Sequence, residues 1–136
     1  MDSIFLDTGY IIALEAIDDQ NHKAALQHWG FFSKNLPIIV TTSYVFDEVV
    51  TFFNNRGHHQ KSVEIGTNLL KSLYIKFIHV DQILFQEGWR YFKKHGDKTY
   101  SLTDCISFVL MKRFAIKTAL TFDNHFIRAG FKVLPD

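Results

Sequence analysis

The sequence predicts an α/β sandwich built around a largely parallel sheet. Five short apolar or β-branched segments are typical of strands, and helical patterns separate most of them. The 136 residues fit a single domain spanning 1–136, and only 7 Gly and 2 Pro argue against a loop-rich chain. Because ligands of such folds gather at the carboxyl ends of the strands, reactive residues that directly follow strands are the candidates for a site.

The first half of the chain supplies two strands and four helices. A strand over Ser3–Leu6 precedes a short helix over Thr8–Glu15, and an amphipathic pattern predicts a second helix over 22–35. Pro37 ends that helix, and the β-branched run 38–41 is typical of a second strand. Two more helices follow, and their predicted ranges are 43–55 and 60–72.

The second half continues the alternation. Residues 75–80 predict the third strand, and the amphipathic helix 81–95 begins at Asp81, a good N-cap residue. A loop over 96–100 separates that helix from the next. The remaining predicted elements are an apolar helix over 102–114, a strand over 118–122, a helical turn over 124–129 closed by Gly130, and a strand over 131–134.

Composition and charge restrict the classes of protein that fit. Fifteen basic and 14 acidic residues give a net charge of +1, which neither indicates nor excludes nucleic-acid binding, because local patches matter more than totals. The single cysteine, Cys105, cannot form an internal disulfide and suits a reducing compartment. The N-terminal residues lack a signal-peptide pattern, and no apolar run approaches the ~18 residues of a membrane helix. We therefore expect a cytoplasmic protein with no membrane partner.

Two acids directly follow predicted central strands. Asp7 comes after I-F-L, and Asp123 comes after A-L-T-F. Taken singly, each has a structural explanation, because an Asp between a strand and a helix is a good N-cap. The structural and functional explanations are compatible, since one carboxylate oxygen can cap a helix while the other binds a metal ion.

Two further acids lie on helices that follow strands. Glu48 falls at the border of the apolar face of the helix Ser43–Asn55, where a carboxylate is costly unless it finds a partner or reaches solvent. Asp104 stands three residues after Ser101 in the S-x-x-[DE] pattern of a capping box, and for Asp104 alone this structural role is the stronger interpretation.

The combination of the four acids is more specific than any one of them. All four can converge on one end of the sheet, where two carboxylates ~4 Å apart repel by ~4 kcal/mol. Mg²⁺ or Mn²⁺ prefers oxygen ligands and removes that repulsion, and such an ion is suited to phosphodiester hydrolysis. The sequence therefore predicts a metal site formed by Asp7, Glu48, Asp104 and Asp123.

The order and spacing of these motifs resemble the PIN-domain ribonucleases, and in particular the small bacterial and archaeal VapC-type toxins of toxin–antitoxin pairs. The resemblance covers essentially the whole chain. It rests on a first strand that ends in Asp and on the segments T-T-S-Y-V-F-D-E-V, S-L-T-D-C-I-S-F and L-T-F-D-N-H-F. The last two segments, with the trailing R-A-G-F, are the most specific.

The resemblance implies a three-layer α/β/α sandwich around a parallel five-stranded sheet and Mg²⁺- or Mn²⁺-dependent cleavage of RNA. It also implies a homodimer and an antitoxin partner that blocks the acidic pocket. The family's acidic quartet maps onto Asp7, Glu48, Asp104 and Asp123, and further candidates near the ligands are Thr8, Ser43, Thr103 and Asn124. Asp97 is an extra acid in the loop before Asp104 and is left outside the quartet.

Other interpretations have less support. A receiver-type phosphate switch would need paired acids after the first strand and a Lys after the last, and neither is present. A PIN-like module that binds protein or RNA without catalysis stays open, and insensitivity to chelation would distinguish it from a nuclease. The seven His residues show no zinc-ligand spacing, and we do not expect a catalytic role for His125 beside Asp123. Basic clusters such as those at 56–61, 93–98 and 112–117 usually form solvent-exposed faces.

Overall fold

A parallel sheet of five strands, in the order β3-β2-β1-β4-β5, organises the fold in a computed structural model that describes residues 2–136. The strands are β1 (Ser3–Leu6), β2 (Ile38–Thr42), β3 (Ile75–Ile78), β4 (Thr118–Leu120) and β5 (Lys132–Leu134). The helices are α1 (Thr8–Glu15), α2 (His22–Phe32), α3 (Ser43–Asn55), α4 (His59–Lys71), α5 (Gln82–Lys94), α6 (Leu102–Arg113) and α7 (Asn124–Arg128). The predicted α/β/α sandwich is confirmed, and its sheet is parallel throughout.

The strand order reverses beside β1, which lies at the centre of the sheet. From β1 the chain builds outward through β2 to β3, then crosses to the other side of β1 to add β4 and β5. The register pairs Phe5 with Val40 on one side and with Ala119 on the other, so β1, β2 and β4 end near one another. In open parallel sheets this reversal creates the crevice in which ligands bind.

Helix α6 lies in the core, which explains why its sequence is apolar around most of its circumference. Residues 104–108 are all buried, as are Leu110 and Met111. Phe108 contacts Phe126 with ring centroids 4.9 Å apart and packs with Tyr100 at 5.0 Å. These aromatic contacts fix the helix that begins beside Asp104.

Several boundaries differ from the sequence prediction, and a side chain explains one of them. The third strand ends at Ile78 rather than Val80, since the Val80 N–H donates to Ser43 Oγ at 2.9 Å instead of to a strand. The fourth strand ends at Leu120 rather than Phe122. Helix α2 ends at Phe32 rather than at residue 35, and α4 begins at His59, one residue early. The remaining bounds are unchanged or shift by one residue, within the usual variation at element ends.

The predicted N-cap at Asp81 is confirmed, because its side chain accepts a 2.8 Å hydrogen bond from the Leu84 N–H. Within residues 2–136, no helix combines the length and the apolar character needed to cross a membrane.

Candidate metal centre

Asp7 is a buried carboxylate at the end of β1, with only 5% of its surface exposed. Its Oδ2 accepts a 2.7 Å hydrogen bond from the hydroxyl of Thr121. Asp7 precedes α1 but makes no side-chain capping hydrogen bond, so the capping explanation is wrong for this residue. The pKa of Asp7 is raised from 3.8 to about 7, mainly by burial and to a smaller extent by the charges of Asp104 and Asp123, while the hydrogen bond from Thr121 acts in the opposite direction.

Asp123 does cap a helix, and it does so with one oxygen. Its Oδ1 accepts a 2.8 Å hydrogen bond from the backbone N–H of His125, the second residue of α7. Its own backbone N–H donates to Thr121 Oγ1 at 3.0 Å. One buried hydroxyl on Thr121 therefore sets the positions of both Asp7 and Asp123.

Asp104 forms the predicted capping box with Ser101, and both of its hydrogen bonds are present. Its Oδ2 also lies 3.1 Å from His125 Nδ1, which donates to the carboxylate when that nitrogen carries the proton. Burial, followed by the charge of Asp123, raises the pKa of Asp104, while the contacts with His125 and Ser101 lower it. Asp104 thus caps α6 and also belongs to the acidic cluster.

Three residues form the tightest group of candidate ligands. One ligand atom from each of Asp104, Asp123 and His125 lies within 4.8 Å of the others. His125 Nδ1 is also 3.4 Å from Asp123 Oδ1, and the ring packs edge-on against Tyr100 with centroids 5.2 Å apart. His125 therefore lies inside the acidic cluster, and its lack of a catalytic role stays a prediction.

Glu48 joins the site through Thr8. The Thr8 hydroxyl donates a 2.7 Å hydrogen bond to Glu48 Oε1, across 40 positions of sequence. Thr8 directly follows Asp7, so this bond holds the α3 carboxylate beside the end of β1. Glu48 is half-buried while its neighbour Asp47 is exposed, as expected for a residue at the border of the apolar face.

The other sequence candidates are less closely connected. No hydrogen bond within residues 2–136 joins Ser43, Thr103 or Asn124 to the four acids. Ser43 instead accepts from Val80, and Asn124 is exposed. The side chain of Asp97 is 74% exposed and lies 3.7 Å from the ammonium of Lys98, outside the cluster.

The donor set fits a hard divalent cation. Carboxylate oxygens predominate, which favours Mg²⁺ or Mn²⁺ over softer metals. The raised pKa values of Asp7 and Asp104 show that the folded chain alone does not compensate their negative charge. A bound cation would supply that compensation.

Cys105 takes no part in this chemistry. Burial, followed by the charge of Asp104, raises the pKa of its thiol to about 11, so the nucleophilic thiolate is not formed near neutral pH. Cys105 is instead a fully buried thiol of the core.

Comparison with known proteins identifies relatives along nearly the whole chain. The family profile described as "PIN domain" matches residues 4–132. The "23S rRNA-specific endonuclease VapC20" of Mycobacterium tuberculosis is 30% identical over 128 residues, which cover 94% of this chain and 95% of the relative. The same relative is found in two strains of that species.

Solved structures agree with the sequence comparison. The crystal structure of Mycobacterium tuberculosis VapC20, described as a sarcin–ricin loop cleaving toxin, superposes with a TM-score of 0.85 at 30% identity over 94% of this chain and 95% of that one. FitAcB from Neisseria gonorrhoeae superposes with a TM-score of 0.62 at 20% identity over 96% of this chain and 95% of that one, which shows a shared fold.

Proposed function

The chain belongs to the PIN-domain family, and we propose on this basis that it is a Mg²⁺- or Mn²⁺-dependent endoribonuclease and the toxin of a toxin–antitoxin pair. The observation that carries the proposal is the acidic cluster at the reversal of strand order. There, Asp7 and Asp123 share Thr121, and Asp104 and Asp123 share His125. The 30% identity to an RNA endonuclease over 94% of the chain supports the same activity.

The four acids would act together as the ligands of a divalent cation. Asp104 and Asp123 would provide the oxygens nearest to one another. Asp7 at the end of β1 and Glu48 from α3 would complete the set. When bound, such an ion supplies Lewis-acid chemistry, because it acidifies water and offsets negative charge that develops on a phosphate.

Hydroxyl groups fix the carboxylates before substrate arrives. Thr121 holds Oδ2 of Asp7, and Thr8 holds Oε1 of Glu48, each at 2.7 Å. Ligands that are held in place by such outer contacts need little reorganisation during the reaction. Thr8 and Thr121 are thus positioning residues in this proposal.

The reaction is hydrolysis of a phosphodiester. Water attacks phosphorus as the bond between phosphorus and O3′ breaks. A carboxylate of the cluster accepts the proton that the attacking water loses, and the departing O3′ takes a proton from solvent. The products carry a 5′-phosphate and a 3′-hydroxyl, as the family resemblance implies.

The substrate class follows from the relative. VapC20 is described as specific for 23S rRNA and as cleaving the sarcin–ricin loop. We therefore take structured ribosomal RNA as the substrate class for this chain. The family resemblance further supports action in the cytoplasm, a homodimer, and inhibition by a small antitoxin that covers the acidic pocket.

A cleavage assay on ribosomal RNA tests the activity. We expect the wild type to cut with Mg²⁺ or Mn²⁺ and to stop with EDTA, and we expect Asp7→Asn to be inactive because it loses a ligand charge. Asp97→Asn is the matched control, since it removes an exposed carboxylate outside the cluster. A folded wild type that binds RNA equally well with and without EDTA and never cuts it would favour the non-catalytic binding module.

A further inference from the structure

A second concave site lies at the end of the sheet opposite the acids. It is a cleft of about 660 Å³ between the turn that joins α6 to β4 and the turn that joins α7 to β5. Its lining includes Met111, Lys112, Ile116, Lys117, Phe131 and Lys132. We call this the basic cleft, and the activity proposed above makes no use of it.

Two similar turns build the basic cleft. Each helix ends at a residue in the left-handed region, Ala115 with φ 54° and Gly130 with φ 97°. The following residue returns a hydrogen bond into the helix, and a lysine stands two residues after each left-handed residue: Lys117 directly precedes β4, and Lys132 is the first residue of β5. Lys132 N–H donates to the Lys117 carbonyl at 2.9 Å, so the backbones of these two residues are adjacent at the cleft.

The lysines of the basic cleft lack acidic partners. Lys112, Lys117 and Lys132 are exposed, and none takes part in an ion pair within residues 2–136. Arg113 is paired with Glu87 on α5. From 105 to 135 the sequence contains five Lys or Arg residues and one acid, Asp123, which belongs to the metal centre.

Ordinary structural roles account for only part of this charge. Lys112 lies in the last turn of α6, where a cation interacts favourably with the helix dipole, and its ammonium sits 5.2 Å from the ring centroid of Tyr91. Lys117 and Lys132 lie outside helices and gain nothing from that effect. Three cations that line one cleft repel one another when no counter-charge lies between them.

We propose that the basic cleft binds the phosphate backbone of the RNA substrate at a distance from the cleaved bond. This inference rests on the proposed function, because it deepens how the substrate is recognised. Asp104 and Lys112 are eight positions apart on α6, which corresponds to roughly 12 Å along the helix axis. That axial span is small compared with a folded ribosomal RNA segment, so such an RNA can contact both sites.

The chemistry of the cleft favours a phosphate backbone. Ammonium groups bind phosphate as point charges and carry no base preference, and such contacts position a nucleic acid without specifying its sequence. The basic cleft would thus discriminate large folded RNA from short fragments that reach only the acids.

The test compares two triple variants that remove equal charge. Lys112→Ala/Lys117→Ala/Lys132→Ala changes the basic cleft, and Lys23→Ala/Lys34→Ala/Lys71→Ala changes exposed lysines on α2, α4 and the turn after α2. Each is measured on a long structured ribosomal RNA and on a short oligonucleotide that spans only the cleaved bond. We expect the cleft variant to raise KM for the long RNA by about tenfold with kcat unchanged, and to leave the short substrate unaffected.

A binding measurement separates this proposal from the proposed nuclease activity. In the Asp7→Asn background, we expect the cleft variant to reduce the slope of log Kd against log salt by about 2 for the long RNA, while the control variant leaves it unchanged. Equal slopes for the cleft and control variants would overturn the cleft assignment even if the wild type cuts RNA. Unchanged RNA kinetics together with weaker inhibition by an acidic antitoxin segment would also overturn it and assign the cleft to protein.

Discussion

Thr121 links the two acids that follow the central strands. Its hydroxyl donates to Asp7 Oδ2 and accepts from the Asp123 N–H, and the residue is only 1% exposed. A single χ1 rotation at Thr121 would therefore disturb both carboxylates. The positions of both acids therefore depend on this hydroxyl, although Thr121 is not a candidate metal ligand.

Removing that hydroxyl tests its positioning role. We expect Thr121→Val to lower kcat by about tenfold and to destabilise the fold by about 1–3 kcal/mol, because it leaves buried polar groups of Asp7 and Asp123 unpaired. Thr121→Ser retains the hydroxyl and should restore most of kcat. Steady-state kinetics and urea unfolding of both variants check this, and equal kcat in the Val and Ser variants would contradict the role.

The raised pKa of Asp7 predicts how stability depends on pH. Between about pH 4 and 7 the folded chain keeps a proton that the unfolded chain has lost, because the pKa rises from 3.8 to about 7 on folding. The contribution is fully present below pH 4 and is lost as pH rises to 7, by at most about 1.4 kcal/mol per pH unit. The raised pKa of Asp104 acts in the same direction.

Asp7→Asn isolates that contribution. In EDTA the variant should show a shallower fall in unfolding free energy from pH 5 to 8, and at pH 8 it should be more stable than the wild type although it is inactive. Urea unfolding across this range provides the measurement. A wild type that becomes more stable as pH rises through this window would show that Asp7 is not held as described.

Sequence patterns located some residues of the site better than others. The capping box of Asp104 was predictable because its partners are three positions apart. The Thr121–Asp7 bond joins residues 114 positions apart, so only the tertiary fold reveals it. The available signal was a hydroxyl two residues before Asp123, and His125 two residues after it offered a similar hint.

At the scale of elements, α5 depends on a glycine to approach α6. A Cβ added to Gly88 would collide with the side chain of Ile106 and lie 3.2 Å from its Cα, and Ile106 is fully buried. Ile106 cannot move away without disturbing other buried side chains, since it packs inside the core. Close contact of these helices therefore fixes the start of α6, where Asp104 lies.

Substitution of Gly88 tests that contact. We expect Gly88→Ala to destabilise the protein by about 1–3 kcal/mol through overpacking, despite a gain in helix propensity of about 1 kcal/mol. Gly30→Ala on α2 is the matched control, because nothing lies within 4 Å of its added Cβ, and it should be neutral or stabilising. Equal unfolding midpoints for the two variants in urea would contradict close packing at Gly88.

The order of the elements was predictable from hydrophobic periodicity, but several ends were not. The apolar run through Val80 predicts a longer third strand, yet the Val80 N–H pairs with Ser43 Oγ from α3. Propensity identifies which residues can extend, and tertiary hydrogen bonds decide where they stop.

At the scale of the whole molecule, the topology brings distant residues together. The order β3-β2-β1-β4-β5 places the ends of β1 and β4 side by side, which assembles a site from positions 7, 48, 104 and 123. The same topology places the basic cleft at the other end of β4 and β5. Strand order could be inferred from the sequence only through the family resemblance, because periodicity does not encode which strands are neighbours.

The proposed activity requires that the acids hold a divalent cation. Calorimetric titration of Mn²⁺ at pH 7.5 into the wild type and Asp104→Asn/Asp123→Asn tests it most directly. The predicted result is saturable binding by the wild type that is at least about tenfold weaker in the double variant, because two ligand charges are lost. A folded wild type that binds no Mn²⁺ and still cleaves RNA in EDTA would contradict the account.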